Sequence, residues 1–443
     1  MTVSPSAIAA EPRPLNPPQI DGYRGLALWS GFNLVIPILT AMLPGRSEVA
    51  SSVPKVVVVS VLLNLILTYW KVRLPLRIPA AIAGMVLLNG WIVVCSYNAA
   101  LTLSRSSVFG IPDYFMFMYF LLFMQAAALN YYRPQWREIY IKCIIAAACI
   151  HSVVAILQFV HFGPALKIAE NYNGADITDW SGKGDGGTRV VGLTGWPLQM
   201  TEWAMFGFSF FAGVVLSRKF KPWEALAAFG FLGVAFMAQL RGVYPVLGLL
   251  FVWFIFALVR RHREGSIGYL AFFVTCLVGV GFAAYERLKY GLNANTDTLA
   301  YRLKVGWPQA YRVLEVRPLF GIGPETGFIS SASTTVDRFV KGFPLDNGYL
   351  DFAAWGGFPA VILVALTGLV AVKSVFTLLL QVDDPFRKRV VFMLLVQVLI
   401  IFVGMNSNPL FFDYFTVQAT FGIAGVAMAT ESEYRRERGR LAY

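Results

Sequence analysis

Runs of apolar residues long enough to cross a bilayer follow one another through almost the whole chain, and they dominate what it can fold into. A membrane-spanning helix needs roughly 20 apolar residues. Such runs cover residues 23–43, 53–70, 78–97, 111–130, 138–160, 198–217, 223–240, 243–259, 266–285, 353–372, 390–406 and 411–430. Hydrophobic residues make up 57% of the chain and charged residues only 14%, with a mean hydropathy of +0.61. A soluble globule is nearer half apolar and a quarter charged. The expectation is an all-α polytopic membrane protein with about twelve transmembrane helices. It is read as a single membrane domain over residues 21–430.

Residues 1–20 are Pro-rich and lack the apolar core of a signal peptide, so they read as a disordered N-terminal tail. Residues 431–443 read as a basic C-terminal tail. Cys95, Cys143, Cys149 and Cys276 fall in or beside apolar runs, as small buried hydrophobes rather than disulfides or metal ligands. There is no Walker-type phosphate loop, CxxC pair or HExxH. His151, His161 and His262 are scattered, so neither a metal site nor a cofactor is expected.

The short connections fix an orientation. Basic clusters follow every even-numbered run: Lys71, Arg73 and Arg77; Arg133 and Arg137; Arg218, Lys219 and Lys221; Arg260, Arg261 and Arg263; Arg387, Lys388 and Arg389; and Arg435 to Arg440. The positive-inside rule puts these clusters, and both termini, in the cytoplasm. The net charge of +12 is then a topology signal and not a nucleic-acid footprint. Two outward loops are long, at about 161–197 and 286–351.

The second loop carries eight Lys/Arg and seven Asp/Glu in a chain otherwise poor in charge. Long loops that are not linkers tend to carry function. Arg189 precedes the sixth run, Arg241 sits in a tight turn and Arg302 lies in the long loop. All three face outward, where orientation does not require them. Arginine stays charged and forks onto phosphate, so three together suit a lipid diphosphate. Each also has a plainer reading. Arg241 can cap a helix end or snorkel to headgroups, and Arg189 and Arg302 can pair with loop carboxylates. Asp346, in the stretch DNGYLD, is placed to take a proton from a sugar hydroxyl. Its plainer reading is an Asp-Asn turn or a helix N-cap. Glu325 and Glu202 are weaker candidates. Gly321, Gly323, Pro318 and Pro324 build a tight turn and do not react.

Four ordered pieces resemble one family. They are RVVGLTGWP with Arg189, QLRGVYP with Arg241, Arg302 followed by Trp307 and PLFGIGPETGF, and DNGYLDFAAWGGFPAVIL. Together, from about 185 to 370, they resemble the O-antigen ligase and polymerase superfamily of Wzy/WaaL-type membrane glycosyltransferases. The resemblance implies a metal-independent glycosyltransferase of the bacterial inner membrane. Its donor would be an oligosaccharide on undecaprenyl diphosphate, and its acceptor a sugar hydroxyl. It implies that Arg189, Arg241 and Arg302 hold the diphosphate, since fixed cations in a low-dielectric site stabilise a leaving group's growing charge. It implies that Asp346 orients or deprotonates the acceptor, and that Trp307, Asn347 and Tyr349 meet the sugars, with Tyr311 and Trp355 as further aromatic candidates. A chain-length regulator and export proteins are the implied partners, besides membrane lipid. Many relatives, notably the ligases, carry histidine where this chain has Asp346, which favours a polymerase or a divergent relative over a strict ligase.

A transporter or flippase of a polysaccharide precursor is the alternative from another class. It should show broken helices near mid-membrane and ionisable residues inside spans. Here the spans carry few charges, and the charge sits in outward loops.

Overall fold

The computed structural model describes residues 24–40, 48–71, 79–103, 115–132, 135–173, 189–194, 197–213, 221–238, 246–248, 250, 304, 306–323, 347–382, 384–405 and 416–427. Among these residues the secondary structure is helical, with no strand. The helices are α1 (Arg24–Thr40), α2 (Glu48–Lys71), α3 (Ala80–Leu103), α4 (Phe115–Tyr132), α5 (Gln135–Phe159) and α6 (Gly163–Asn173). They continue with α7 (Pro197–Ala212), α8 (Pro222–Met237), α9 (Trp307–Val316), α10 (Gly348–Gln381), α11 (Pro385–Gly404) and α12 (Thr416–Ala427).

Ala80–Thr102, Gln135–Phe159 and Gly348–Gln381 are long and apolar enough to cross a membrane, and five shorter apolar helices accompany them. In lipid a helix satisfies its own backbone, which is why apolar runs of this length resolve as helices. α7 and α11 are buried on most faces: Trp203, Phe206 and Phe392 are fully enclosed. α7 packs on α5, α8 and α11, while α10 packs on α3 and α11. α12 runs against α4 and α5: Gly425 meets the Phe123 carbonyl, and the Tyr140 hydroxyl donates to the Ala419 carbonyl at 3.4 Å. The peripheral helices turn apolar side chains outward, among them Leu63 and Ile66 of α2, Leu87 of α3 and Leu366 and Leu369 of α10. Such faces suit lipid.

The bundle has two different ends. At one, Gly213 beyond α7 lies against Arg389 of α11, and the Arg389 guanidinium meets the Glu224 carboxylate of α8 at 2.8 Å. The guanidinium also lies 5.7 Å from the Phe210 ring centroid. Arg389 belongs to a basic cluster read above as a topology signal alone. In the fold it is also a half-buried clasp between helices. The other end gathers the C-termini of α3, α5 and α11 with the N-termini of α7, α10 and α12. It holds every described candidate site residue, and is termed the motif end below.

Both long loops contain helix that apolar periodicity did not predict. α6 begins directly after α5. His161 closes α5 in the left-handed region at φ 58, with Phe162 N–H bonded to the Leu157 carbonyl at 2.9 Å. α9 lies within 286–351 and buries Ala310, Val313 and Leu314 while exposing Tyr311 and Val316. Cys95 is buried, whereas Cys149 is on the exposed face of α5.

Candidate functional site

Arg189 heads a short irregular segment, residues 189–194, that enters the motif end instead of arching over it. Val190 and Val191 are 0% and 1% exposed. Irregular backbone at such a position needs partners for its polar groups. Gln158, in the last turn of α5, supplies them. Its Oε1 accepts from Val191 N at 3.0 Å and Gly192 N at 2.8 Å. Its Nε2 donates to the Gly192 carbonyl at 2.8 Å and the Ala165 carbonyl at 3.4 Å. Gly192 sits at φ 58, and a Cβ there would meet the Met200 sulfur and lie 3.0 Å from the His151 carbonyl. Thr194 closes the turn, its hydroxyl donating to the Val191 carbonyl at 2.7 Å.

The Pro318–Gly323 turn has a different task. α10 is broken at Gly357, which takes φ 66 and ψ −164. Pro359 follows and has no N–H for the Trp355 carbonyl. The break would strand several backbone groups, each costly in lipid. The turn takes them up. Ile322 N donates to the Ala354 carbonyl at 2.8 Å, Gly323 N to the Trp355 carbonyl at 3.0 Å, and Phe358 N to the Pro318 carbonyl at 2.8 Å. The Trp91 indole of α3 donates to the Gly356 carbonyl at 2.8 Å and stacks on Phe320 at 5.4 Å. Arg317 ties the turn back to α3, with its guanidinium 2.6 Å from the Thr102 hydroxyl. The tight turn expected at these residues therefore serves as a helix splint.

Before the break, α10 starts at an Asn cap. Asn347 Oδ1 accepts from Tyr349 N at 3.1 Å and Leu350 N at 3.2 Å. Gly348 N donates to the Met405 carbonyl at 2.8 Å, and the Tyr349 hydroxyl to the Phe402 carbonyl at 2.6 Å. Residues 347–351 are thus seated on the end of α11, with Asp351 buried in the first turn. Glu202 of α7 is buried too, and the Thr416 hydroxyl of α12 donates to its carboxylate.

A family model described as O-antigen ligase matches residues 225–365. That match supports the O-antigen ligase/polymerase superfamily over these residues. No curated protein matches the chain at a significant level. The superfamily is one of glycosyltransferase-like ligases and polymerases, and among the described residues of this chain three helices are long and apolar enough to cross a membrane. The matched stretch runs from α8 into α10 and contains Arg241, Arg302, the splint and DNGYLD.

The candidate residues fare differently. Asn347 serves as a cap, the plainer of the two readings for this stretch, although the cap falls on Asn347 and not on Asp346. Trp307 opens α9, where Tyr311 is half exposed. Trp355 is buried edge-on against Phe352, leaving little ring face for a sugar. Arg189 is half-buried at the start of its segment. Arg241, Arg302, Asp346 and Glu325 lie outside the described residues. Gln158, Trp91 and Arg317 were missed. A lone glutamine near the end of an apolar run was the available hint for the first.

Proposed function

We propose that this protein is a polysaccharide polymerase of the bacterial inner membrane, with both termini cytoplasmic and the motif end outside. It takes a glycan from an undecaprenyl-diphosphate-linked donor and adds it to a hydroxyl of a lipid-linked acceptor sugar. The observation that carries this reading is the superfamily match over 225–365, which contains two of the three outward arginines and DNGYLD. The acceptor oxygen bonds to the anomeric carbon, the bond from that carbon to the phosphate oxygen breaks, and its electron pair leaves with undecaprenyl diphosphate. Arg189, Arg241 and Arg302 neutralise that charge, so no metal is required. The hydroxyl proton passes to Asp346. Asn347, next to it in the sequence, caps α10, and that supports reading this stretch as part of the site.

A ligase is the second reading, favoured by the description of the matching family. Asp346, in place of the histidine that the resemblance leads one to expect, speaks for the polymerase. A transport path gains no support from the broken α10, because its freed groups are taken up by the splint and Trp91. The deciding experiment incubates the purified protein in bilayers with lipid-linked repeat units and sizes the products. A ladder supports the polymerase. A single transfer to a core glycolipid supports the ligase, and unchanged substrate rejects both.

A further inference from the structure

We infer that Gln158 is a positioning residue for Arg189, an inference that rests on the diphosphate-holding role proposed for that arginine. Every polar group of the Gln158 carboxamide is used on backbone, and three of its four bonds go to Val191 and Gly192. The fourth goes to Ala165, at the start of α6. Gln158 itself is fully buried, in the final turn of a long apolar helix. The segment it holds has little freedom left. Val190 and Val191 are enclosed, Val191 packs on Ala169 of α6, and Gly192 is pressed between Met200 and the His151 carbonyl.

Arg189 is the residue next to this fixed stretch. Its Cα is joined to the enclosed Val190 through one planar peptide bond. A long cation on a loose loop spends binding energy on being ordered, whereas one on a pinned backbone is preorganised for a charge that develops only in the transition state. Gln158 touches neither lipid nor sugar in this scheme. It decides where the guanidinium is when the phosphate bond breaks.

The test is a double-mutant cycle on the purified full chain in bilayers. It uses Gln158→Ala, Arg189→Ala and both together, with release of undecaprenyl diphosphate from lipid-linked repeat units as the rate and all values scaled to folded protein. A displacement of about 1 Å remote from the chemistry costs on the order of 10²-fold in rate. The expected result is a loss of that order for Gln158→Ala, carried in kcat, and a double variant no slower than Arg189→Ala. Multiplying losses would overturn the inference, because residues acting independently add in free energy. So would an unimpaired Gln158→Ala beside an impaired Arg189→Ala. If Arg189→Ala itself keeps full rate, the diphosphate role fails first and takes the inference with it. Should Gln158→Ala not accumulate as folded protein, Gln158→Asn carries the same cycle, since it keeps the amide one methylene short.

Discussion

The Trp91 indole N–H points at the Gly356 carbonyl from 2.8 Å away, joining α3 to the broken turn of α10. Without it that carbonyl faces an apolar surround. Trp91→Phe keeps a ring against Phe320 and removes the donor together with part of the indole. It should cost about 1–3 kcal/mol, the penalty for an unsatisfied buried acceptor. The thermal midpoint of the detergent-purified protein reads this. An unchanged midpoint would mean that the carbonyl finds another donor.

Gly357→Ala should be far more damaging. The backbone at φ 66 and ψ −164 is essentially confined to glycine, and a Cβ would lie 2.6 Å from the Leu319 carbonyl carbon. The expected outcome is little folded protein by fluorescence-detected size exclusion. Wild-type yield would show that the turn can step away from α10.

The Glu224–Arg389 clasp predicts an asymmetric mutational pattern. Arg389→Ala leaves a carboxylate that is 4% exposed without its cation, at a cost of about 3–5 kcal/mol. Pairing Glu224→Leu with Arg389→Met should recover most of that loss, because an apolar pair avoids the desolvation of two charges. Unfolding midpoints of the single and paired variants decide it. A paired variant as unstable as Arg389→Ala would count against the clasp.

Tyr349 separates structure from chemistry. Tyr349→Phe removes the bond to the Phe402 carbonyl and should cost about 1 kcal/mol in stability while polymer length is kept. Tyr349→Ala also removes the ring and should shorten or abolish polymer if the ring meets sugar. Equal polymer from both variants would reduce Tyr349 to a strut between α10 and α11.

At the chemical centre, Arg241→Ala and Arg302→Ala should each lower turnover by on the order of 10²–10³-fold with normal membrane insertion. Full-length polymer from either would sink the diphosphate clamp. Asp346→Asn keeps size and loses the base. Near-normal turnover in that variant would make Asp346 a turn residue.

Much of this was readable before the fold. Apolar run length gives a helical membrane protein, and four spaced motifs point to the superfamily. What stayed hidden depends on contacts distant in sequence. The run PLFGIG announces a turn, but nothing local says that its amides serve carbonyls of α10, or that Trp91 completes the set. Gln158 reads as one polar residue in an oily helix, because three of its four bonds reach residues more than thirty positions away. Arg389 carries two roles at once, and the topological one is visible in sequence while the clasp is not. α6 and α9 are short helices inside polar loops, where a search for long apolar runs does not register them.

The break in α10 also bears on how the chain is made. Trp91, Pro318, Ile322 and Gly323, which satisfy it, all precede α10 in the sequence. Synthesis runs from the N-terminus. By the time Gly357 reaches the bilayer, every group needed to repair its interrupted helix has already been translated. The discontinuity need never face lipid bare.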